Sequence, residues 1–204
     1  MKYVILAFTW ALYGAFHSTL LSRPVKNRLT RLDIVDCHWR FFFALMSSVT
    51  LIPPVWLTYV ADGPWLVVWP WKWPLVIING GALVIGWIAL KSFGGGLAFL
   101  GIDRLFGQCE MPRPEKPIQK GILGWVRHPL YALTIIFLWA HDLNVAGLVT
   151  SGVLTVYVFV GTYLEEKRLE AEWGAGWIEY REEVSAFFPM KKMMKWGTAG
   201  GIRR

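Results

Sequence analysis

Long apolar stretches constrain this chain more than any other feature of its sequence. A helix of about 20 apolar residues is long enough to cross the hydrocarbon core of a bilayer, which is roughly 30 Å thick. Five stretches of about that length are present, at residues 2–21, 40–61, 75–93, 128–144 and 145–164. The hydrophobic fraction of 55% and the mean hydropathy of +0.41 exceed those of ordinary soluble domains. We therefore predict an all-α fold, a polytopic membrane helical bundle of about five spans that forms one domain over residues 1–204.

The charged residues lie mainly between the apolar stretches, and their sign predicts the orientation of the chain. The net charge is +7, and Lys and Arg are concentrated in residues 22–39, in residues 97–127 and near the C-terminus. Basic loops beside membrane spans usually face the cytoplasm. We therefore expect a multi-pass protein of a prokaryotic cell membrane, with its N-terminus outside and its C-terminus cytoplasmic. The basic residues do not form the clustered surface that binds nucleic acid, so we expect no nucleic-acid partner.

The cysteine content gives no sign of a disulfide or a metal centre. Cys37 and Cys109 both fall in segments that we place on the cytoplasmic side, where thiols usually stay reduced. No Cys and His spacing typical of zinc sites is present. We expect no metal.

The segment from Gly121 to Tyr131, GILGWVRHPLY, is a basic, proline-containing entry into an apolar stretch. Proline suits the first turn of a helix, where its missing amide donor does no harm. The two apolar stretches that follow have almost no loop between them, so they should form a helical hairpin that returns the chain to its starting side. Glu165 and Glu166 stand at the end of that hairpin. We therefore expect Arg127 and His128 to lie beside the two glutamates at one membrane face.

Each of these polar residues also has an ordinary structural interpretation. Arg127 could be a boundary arginine that reaches the interface, and His128 could be a buried histidine bonded to a carbonyl. His17, near the end of the first span, could join two helices by a hydrogen bond rather than act as a catalyst. Glu165 and Glu166 could be solvated charges. Ionisable groups that face one another at a membrane edge are nevertheless candidates for function, and the hairpin favours that interpretation.

Residues 165–188 are predicted to form an amphipathic cytoplasmic helix. Such a helix could lie against the bilayer or cover a cofactor pocket, and the two interpretations are compatible. Its apolar residues recur at spacings of three and four, namely Leu169, Trp173, Trp177, Tyr180 and Val184.

Other segments carry local structural signals. The tryptophan-rich residues 63–74 are predicted to be an interfacial belt at the outer face. The Pro53–Pro54 pair predicts a kink or break in the second span. The three glycines of the third span predict close helix packing; they are Gly80, Gly81 and Gly86.

Two motifs at a characteristic separation resemble a known family. Residues 118–190 contain Gly121-x5-Arg-His-Pro-x-Tyr131, followed by Glu165-Glu166-x2-Leu-x3-Trp-Gly-x2-Trp-x2-Tyr-x3-Val184 and Pro189. This combination resembles the C-terminal signature of the isoprenylcysteine carboxyl methyltransferase superfamily of integral membrane methyltransferases, which also includes phospholipid methyltransferases. Near the N-terminus, Phe16-His-Ser-x2-Leu-x-Arg-Pro-x-Lys26 resembles the first-span motif of the methanethiol S-methyltransferase branch.

The resemblance implies that S-adenosylmethionine is the methyl donor, held at the cytoplasmic face. It places His128 and Tyr131 along the donor and one of the two glutamates at the donor amino group. The cofactor-binding positions that the resemblance implies here are Gly121, Val126, His128, Pro129, Tyr131, Glu165 and Glu166.

The resemblance also bears on catalysis and on the methyl acceptor. Arg127, His128 and His17 are the candidate catalytic residues, and Arg127 would hold either the acceptor or the donor carboxylate. The acceptor is expected to be small or lipophilic and to come from the membrane. It is a thiol such as methanethiol or a carboxylate of the isoprenylcysteine type.

The sequence also admits two alternatives from other functional classes. Sterol-type membrane reductases look related in their C-terminal cofactor region, but NADPH calls for a tight arginine cluster, and the arginines here are scattered. A non-enzymatic small transporter or haem-binding protein could use His17, His128 and His141. Those histidines are expected at different depths, which disfavours this alternative.

Overall fold

The computed structural model describes residues 1–29, 33–106, 117 and 119–194. Cys109 and the end of the basic tail lie outside these ranges. The described α-helices are α1 (Lys2–Leu21), α2 (Arg23–Leu29), α3 (Asp33–Ala61), α4 (Lys72–Ser92), α5 (Gly96–Leu100), α6 (Pro129–Trp139), α7 (Val145–Trp173) and α8 (Ala175–Glu183). Two short strands, β1 (Trp65–Val67) and β2 (Leu143–Asn144), and two 3₁₀ helices, Asp103–Phe106 and Gly121–Gly124, complete the described structure.

Four helices are long and apolar enough to cross a membrane, which confirms the all-α polytopic bundle. They are α1, the part of α3 from His38 to Ala61, α4 and α7. The prediction of a full helical span over residues 128–144 is wrong, because α6 has only 11 residues and ends at Trp139. Residues 140–144 are not helical and lead into β2.

The α6 segment nevertheless returns the chain across the bundle. The part of α7 from Val145 to Glu166 rises about 32 Å. The helical part of the α6 segment rises about 16 Å, and its five non-helical residues can add about as much again. Two hydrogen bonds fix the far end of α6 against α7: Ser151 Oγ donates to the Leu138 carbonyl at 2.6 Å, and Trp139 Nε1 donates to Thr155 Oγ1 at 3.0 Å. The predicted hairpin is confirmed.

One end of the bundle contains residues 63–74 and is called the tryptophan end below. The strands β1 and β2 pair there in antiparallel fashion, an arrangement that the sequence did not predict. Asp142 forms an ion pair with Lys72 and accepts a hydrogen bond from the Trp69 amide at 3.0 Å. These two donors hold the pKa of Asp142 below its usual value. The tryptophan rings of the segment are exposed, as an interfacial belt requires.

Helices α1, α3 and α7 pack against one another through most of the bundle. A chain of hydrogen bonds joins all three helices, because Trp10 Nε1 donates to Thr58 Oγ1 at 2.9 Å and the Thr58 and Thr150 hydroxyls lie 3.0 Å apart. The buried core beside this chain consists of Leu6, Trp10, Ala61 and Ala146.

Local predictions for α3 and α4 differ from the structure. Of the kink or break predicted at the Pro53–Pro54 pair, the break does not occur, because α3 continues through both prolines. The prediction of close packing at Gly80 and Gly81 is wrong, since a Cβ atom at either position would meet nothing within 4 Å. At Gly86 the packing is close, because a Cβ atom there would lie 3.2 Å from Leu133 Cδ1 on α6.

The C-terminal region also differs from the predicted single helix over residues 165–188. Helix α7 does not end at Leu164 but runs on to Trp173. Gly174, with a φ of 54°, ends it and allows the chain to turn into α8. The predicted apolar stripe is buried in its second half, where Trp177, Tyr180 and Val184 form a small core.

Candidate functional site

The backbone around Arg127 and His128 is fixed by the segment that follows α8. Arg127 N donates to the Ser185 carbonyl and His128 N donates to the Ala186 carbonyl, both at 2.9 Å. Val126 and Ser185 form an isolated parallel β-bridge. Pro129 then occupies the first turn of α6, as predicted. The Arg127 and His128 side chains therefore project from a short extended segment that is fixed by main-chain hydrogen bonds.

Glu166 is the centre of the site. Its Oε1 atom accepts hydrogen bonds from Arg127 Nε at 3.0 Å and from Arg127 Nη2 at 2.6 Å. The same atom lies 3.0 Å from His128 Nε2. The side chains of Arg127 and Glu166 are only 7% and 17% exposed. We define these three residues, together with Glu165 and Tyr131, as the carboxylate cluster, and the bundle end that carries it as the carboxylate end.

The Arg127 guanidinium has further partners that hold it in place. Its Nη1 atom donates to the main-chain carbonyls of Arg181, at 3.1 Å, and of Val184. The Trp177 ring lies beneath it, with its centroid 5.9 Å from Cζ. A planar guanidinium can make all of these contacts at once because its donors diverge, whereas a lysine ammonium cannot. Arg127 thus joins α7 to the end of α8.

Glu165 lies on the other side of His128 and is the more accessible carboxylate. Its Oε2 atom is 3.9 Å from His128 Nδ1, and its side chain is 30% exposed. The carboxylate also interacts with the Tyr131 hydroxyl. The His128 and Tyr131 rings are stacked, with centroids 5.5 Å apart and an interplanar angle of 12°. Phe187 adds a third ring, 6.2 Å from His128.

Tyr180 ties α8 to the 3₁₀ helix Gly121–Gly124. Its hydroxyl donates to the Leu123 carbonyl at 2.6 Å. Burial raises the pKa of Tyr180 to about 12 even though Arg127 lies near, so the hydroxyl stays protonated and can donate. Gly121, one of the predicted cofactor-binding residues, lies in this 3₁₀ helix with a φ of 61° and is exposed.

The structure brings most of the predicted site residues together but leaves His17 apart. Arg127, His128, Tyr131, Glu165 and Glu166 form the carboxylate cluster, and Val126 and Pro129 flank it in sequence. His17 lies on α1 and contacts the rings of Tyr13, Phe43 and Tyr157. His141 lies at the tryptophan end, so the three histidines of the haem alternative are not brought together.

Several residues of the site were not predicted individually. The carbonyls of Arg181, Val184, Ser185 and Ala186 hold Arg127 and His128 in place. Main-chain acceptors leave no mark in a sequence. The signal that did exist was the apolar stripe through Trp177, which now forms the wall beneath the guanidinium.

The charges of the cluster are unequal. Arg127 forms an ion pair with Glu166, and Glu165 adds a second carboxylate beside His128. In the described part of the chain, no group of three or more His, Cys, Asp or Glu residues is arranged to hold a metal ion.

Two open grooves on the bundle lie away from this cluster. One of about 380 Å³ is lined by Thr58, His141 and Thr150, among others. Another of about 400 Å³ runs along α7 between Leu148 and Val156. Thr150 precedes Glu166 by roughly 24 Å along the helix axis. These grooves belong to the other half of the bundle.

Comparison with curated proteins identifies relatives that cover most of the chain. The chain is 39% identical to a methanethiol S-methyltransferase of Crocosphaera subtropica, over 87% of its own length and 71% of the relative. It is 35% identical to methanethiol S-methyltransferase 1 of Bradyrhizobium diazoefficiens, over 89% of its length, and spans 65% of that relative. A methanethiol S-methyltransferase of Mycobacterium tuberculosis is 27% identical, with 87% and 75% covered.

Other comparisons add nothing to this result. No family model matches the chain, and no solved structure matches it. The relatives nevertheless agree in their names, and their alignments cover nearly nine-tenths of the chain. The chain belongs to the methanethiol S-methyltransferase family.

Proposed function

We propose that this protein is an integral membrane methyltransferase that transfers the methyl group of S-adenosylmethionine to a small thiol. The observation that supports this most strongly is the buried convergence of Arg127 and His128 on Glu166, with Glu165 beside them, in a chain whose relatives are named methanethiol S-methyltransferases. The carboxylate cluster is proposed to hold the methyl donor.

The charge of the cluster suits this donor. S-adenosylmethionine carries a sulfonium and an ammonium against one carboxylate, so it offers cationic groups to the two glutamates of the cluster. Glu166 already has two fixed partners, whereas Glu165 remains partly exposed and can receive an ammonium group. The stacked rings of His128 and Tyr131 offer the aromatic surface that attracts cations.

Methyl transfer from a sulfonium depends mainly on the alignment of the donor with the acceptor. When bound, S-adenosylmethionine supplies an electrophilic methyl group on a sulfonium sulfur. Displacement at such a carbon is favoured by positioning and by exclusion of water. The chain contributes the positioning, because Glu165 and Glu166 are set one after the other on a continuous helix and Arg127 is fixed by four hydrogen bonds.

The proposed orientation places the carboxylate end in the cytoplasm, where a polar donor is available. Helix α1 begins at the opposite end, since Tyr3 contacts the Gly63 position, so the N-terminus would lie outside. Basic residues at the carboxylate end, Arg168 and Lys192 among them, agree with the usual excess of positive charge on the cytoplasmic side. The relatives are bacterial proteins, so we place the chain in a bacterial cell membrane.

Neither alternative gains support from these observations. The His17, His128 and His141 rings lie on different parts of the bundle, so no two of them could hold one haem iron from both sides. Arg127 is occupied by Glu166 and by main-chain carbonyls, so it is not available for the 2′-phosphate of NADPH.

Calorimetric titration of the purified protein with S-adenosylhomocysteine and with NADPH tests the donor. We expect saturable binding of S-adenosylhomocysteine and none of NADPH. The reverse result would overturn the proposal. Labelled-methyl transfer assays with methanethiol, a farnesylcysteine analogue and phosphatidylethanolamine then test the acceptor, and we expect transfer to methanethiol.

Two variants test the location of the donor site. Glu166→Gln and His128→Ala should each weaken S-adenosylhomocysteine binding at least tenfold while the protein still inserts into the membrane. Glu179→Gln, an exposed glutamate on α8, is the matched control and should leave the affinity unchanged. Wild-type affinity in both site variants would place the donor elsewhere.

A further inference from the structure

His17 has a buried nitrogen atom that lacks a partner. Its ring contacts Phe43 of α3 at 4.8 Å, Tyr13 of α1 at 5.7 Å and Tyr157 of α7 at 6.3 Å between centroids. The Nδ1 atom is buried, and it forms no hydrogen bond with the described part of the chain. Buried polar atoms are nearly always bonded in folded proteins. An orphaned nitrogen in an aromatic cage therefore calls for an explanation outside packing.

A second unpartnered polar atom lies on the facing helix. Ser47 is 9% exposed, and its Oγ atom also lacks a hydrogen bond among the described residues. Ser47 follows Phe43 by four positions, so it lies one turn further along the same face of α3 that meets His17. Two orphaned polar atoms therefore line the contact between α1 and α3.

Tyr157 is held against α1 by two features. Its hydroxyl lies 3.1 Å from Ser18 Oγ, which joins α7 to α1. Gly14 makes this approach possible, because a Cβ atom there would lie 2.7 Å from Tyr157 Cδ2. We define Tyr13, His17, Ser18, Ser47 and Tyr157 as the His17 cluster.

The His17 cluster adjoins the carboxylate cluster. Tyr157 is close enough to Tyr131 for the two phenols to interact electrostatically. Along α7, Tyr157 precedes Glu165 by eight residues, or about 12 Å. The cluster therefore lies deeper in the bundle than the carboxylates, about two turns away along the same helix. The groups that surround His17 here are hydroxyls and rings, which carry no charge at neutral pH.

We propose that the His17 cluster binds the thiol acceptor and that His17 Nδ1 takes its proton. This inference rests on the proposed function, because it assigns the acceptor to a site of its own. A small apolar thiol suits the position, since sulfur packs favourably against aromatic rings and the S–H group can donate to an imidazole nitrogen.

The proton transfer balances the reaction. A thiol becomes a strong nucleophile only after it loses its proton. The proton passes from the thiol sulfur to Nδ1 of neutral His17, which leaves a thiolate and an imidazolium. The sulfur then forms its bond to the methyl carbon as the carbon–sulfonium bond breaks, and its lone pair becomes the new bond. The imidazolium afterwards releases the one proton that the overall reaction produces.

His17→Gln tests the role of the imidazole, since glutamine can form hydrogen bonds but cannot accept a proton at neutral pH. We expect kcat/KM for methanethiol at pH 7 to fall by about 10²–10⁴-fold, the usual contribution of a general base. The affinity for S-adenosylhomocysteine, measured by calorimetry, should stay within about twofold of wild type because His17 lies outside the carboxylate cluster.

The pH profile separates a base from a structural residue. Without the base, the rate should follow the fraction of free thiolate and rise about tenfold per pH unit up to the pKa of the thiol. The titratable side chains in ring contact with His17 are Tyr13 and Tyr157, and α3 contributes Phe43 at that point. A loss of activity that high pH does not restore would overturn the proposal, as would unchanged activity or an equal loss of S-adenosylhomocysteine binding.

A second pair of variants tests the pocket without removing the base. Tyr157→Phe breaks the contact with Ser18 and should raise KM for methanethiol with a smaller effect on kcat. Tyr163→Phe on the same helix is the matched control, because this tyrosine is 58% exposed. If both substitutions act alike, Tyr157 does not line the acceptor pocket. Failure of the wild-type protein to bind S-adenosylhomocysteine would instead contradict the proposed function itself.

Discussion

Arg127 and Glu166 lie 39 positions apart in the sequence, and their side chains form an ion pair with an Nη2–Oε1 distance of 2.6 Å. The pair closes the hairpin of α6 and α7 at its open end. Because both side chains are largely buried, each charge depends on the other for its stabilisation, and water can replace neither partner fully.

Arg127→Met should therefore destabilise the protein by about 3–5 kcal/mol, since it leaves Glu166 as a buried carboxylate without its cation. Denaturant unfolding in detergent micelles measures the change. Arg181→Met is the control, because Arg181 forms a half-exposed ion pair with Glu170 and its loss should cost less than about 1 kcal/mol. Equal losses in the two variants would mean that the buried pair adds nothing to stability.

Arg127→Lys keeps the charge but not the geometry. A lysine ammonium lacks the diverging donors of the guanidinium, so it cannot bond to Glu166 and to the carbonyls of Arg181 and Val184 at the same time. We expect S-adenosylhomocysteine affinity to fall at least tenfold, because Glu166 loses its fixed position. Calorimetry on the purified variant provides the measurement, and wild-type affinity would show that charge alone is sufficient.

The Tyr180 phenol gives the fold a dependence on alkaline pH. Its pKa is raised to about 12 in the folded protein from about 10 in the unfolded chain. The stability that comes from the neutral phenol is thus fully present below pH 10 and is lost as pH rises towards 12. We expect Tyr180→Phe to unfold more easily than wild type at pH 8, by about 1 kcal/mol for the lost bond to Leu123.

The same comparison at higher pH checks the sign. The gap between wild type and Tyr180→Phe should narrow between about pH 10 and pH 12, as followed by denaturant midpoints. Tyr59→Phe, at an 87% exposed tyrosine, should run parallel to wild type throughout. A gap that widens with pH would contradict the assigned direction of the pKa shift.

Gly14→Ala should disturb the acceptor site and spare the donor site. The added methyl group would press on the Tyr157 ring and displace the hydroxyl from Ser18. We expect methanethiol turnover to fall at least tenfold, with S-adenosylhomocysteine affinity within about twofold of wild type. Gly152→Ala on α7, where a Cβ atom meets nothing within 4 Å, is the control. A loss of donor binding in Gly14→Ala would mean that the two clusters are not separable.

The helices and the meeting of Arg127 with Glu166 could be predicted because both follow from short-range rules. Apolar length indicates a span, and a hairpin with little loop must bring its two ends together. The end of α7 could not be found from polarity alone, since Glu165 and Glu166 are good helix formers and a change from apolar to polar residues does not stop a helix. Gly174, which adopts positive φ, does stop it.

The strand pair at the tryptophan end had no sequence signal. Strand β1 has three residues and β2 has two, which is too short for any alternation to show. The two strands also lie far apart in the chain. At Gly80 and Gly81 the sequence predicted a close helix contact that does not form, because small residues permit a close approach but do not supply a neighbouring helix. The backbone carbonyls around Arg127 were unpredictable for a simpler reason, because every residue has one.

Helix α7 runs without interruption from Val145 to Trp173 and carries both Tyr157 and Glu165. This uninterrupted helix fixes the distance between the His17 cluster and the carboxylate cluster, and the distance is kept as long as the helix is intact. The number of residues between Tyr157 and Glu165 also sets their relative orientation around the helix axis. One alanine inserted between Tyr157 and Glu165 would turn the glutamates by about 100° away from His128 while lengthening the rod by only about 1.5 Å. The eight-residue separation of Tyr157 and Glu165 therefore sets both the distance between the two clusters and the direction in which the glutamates point.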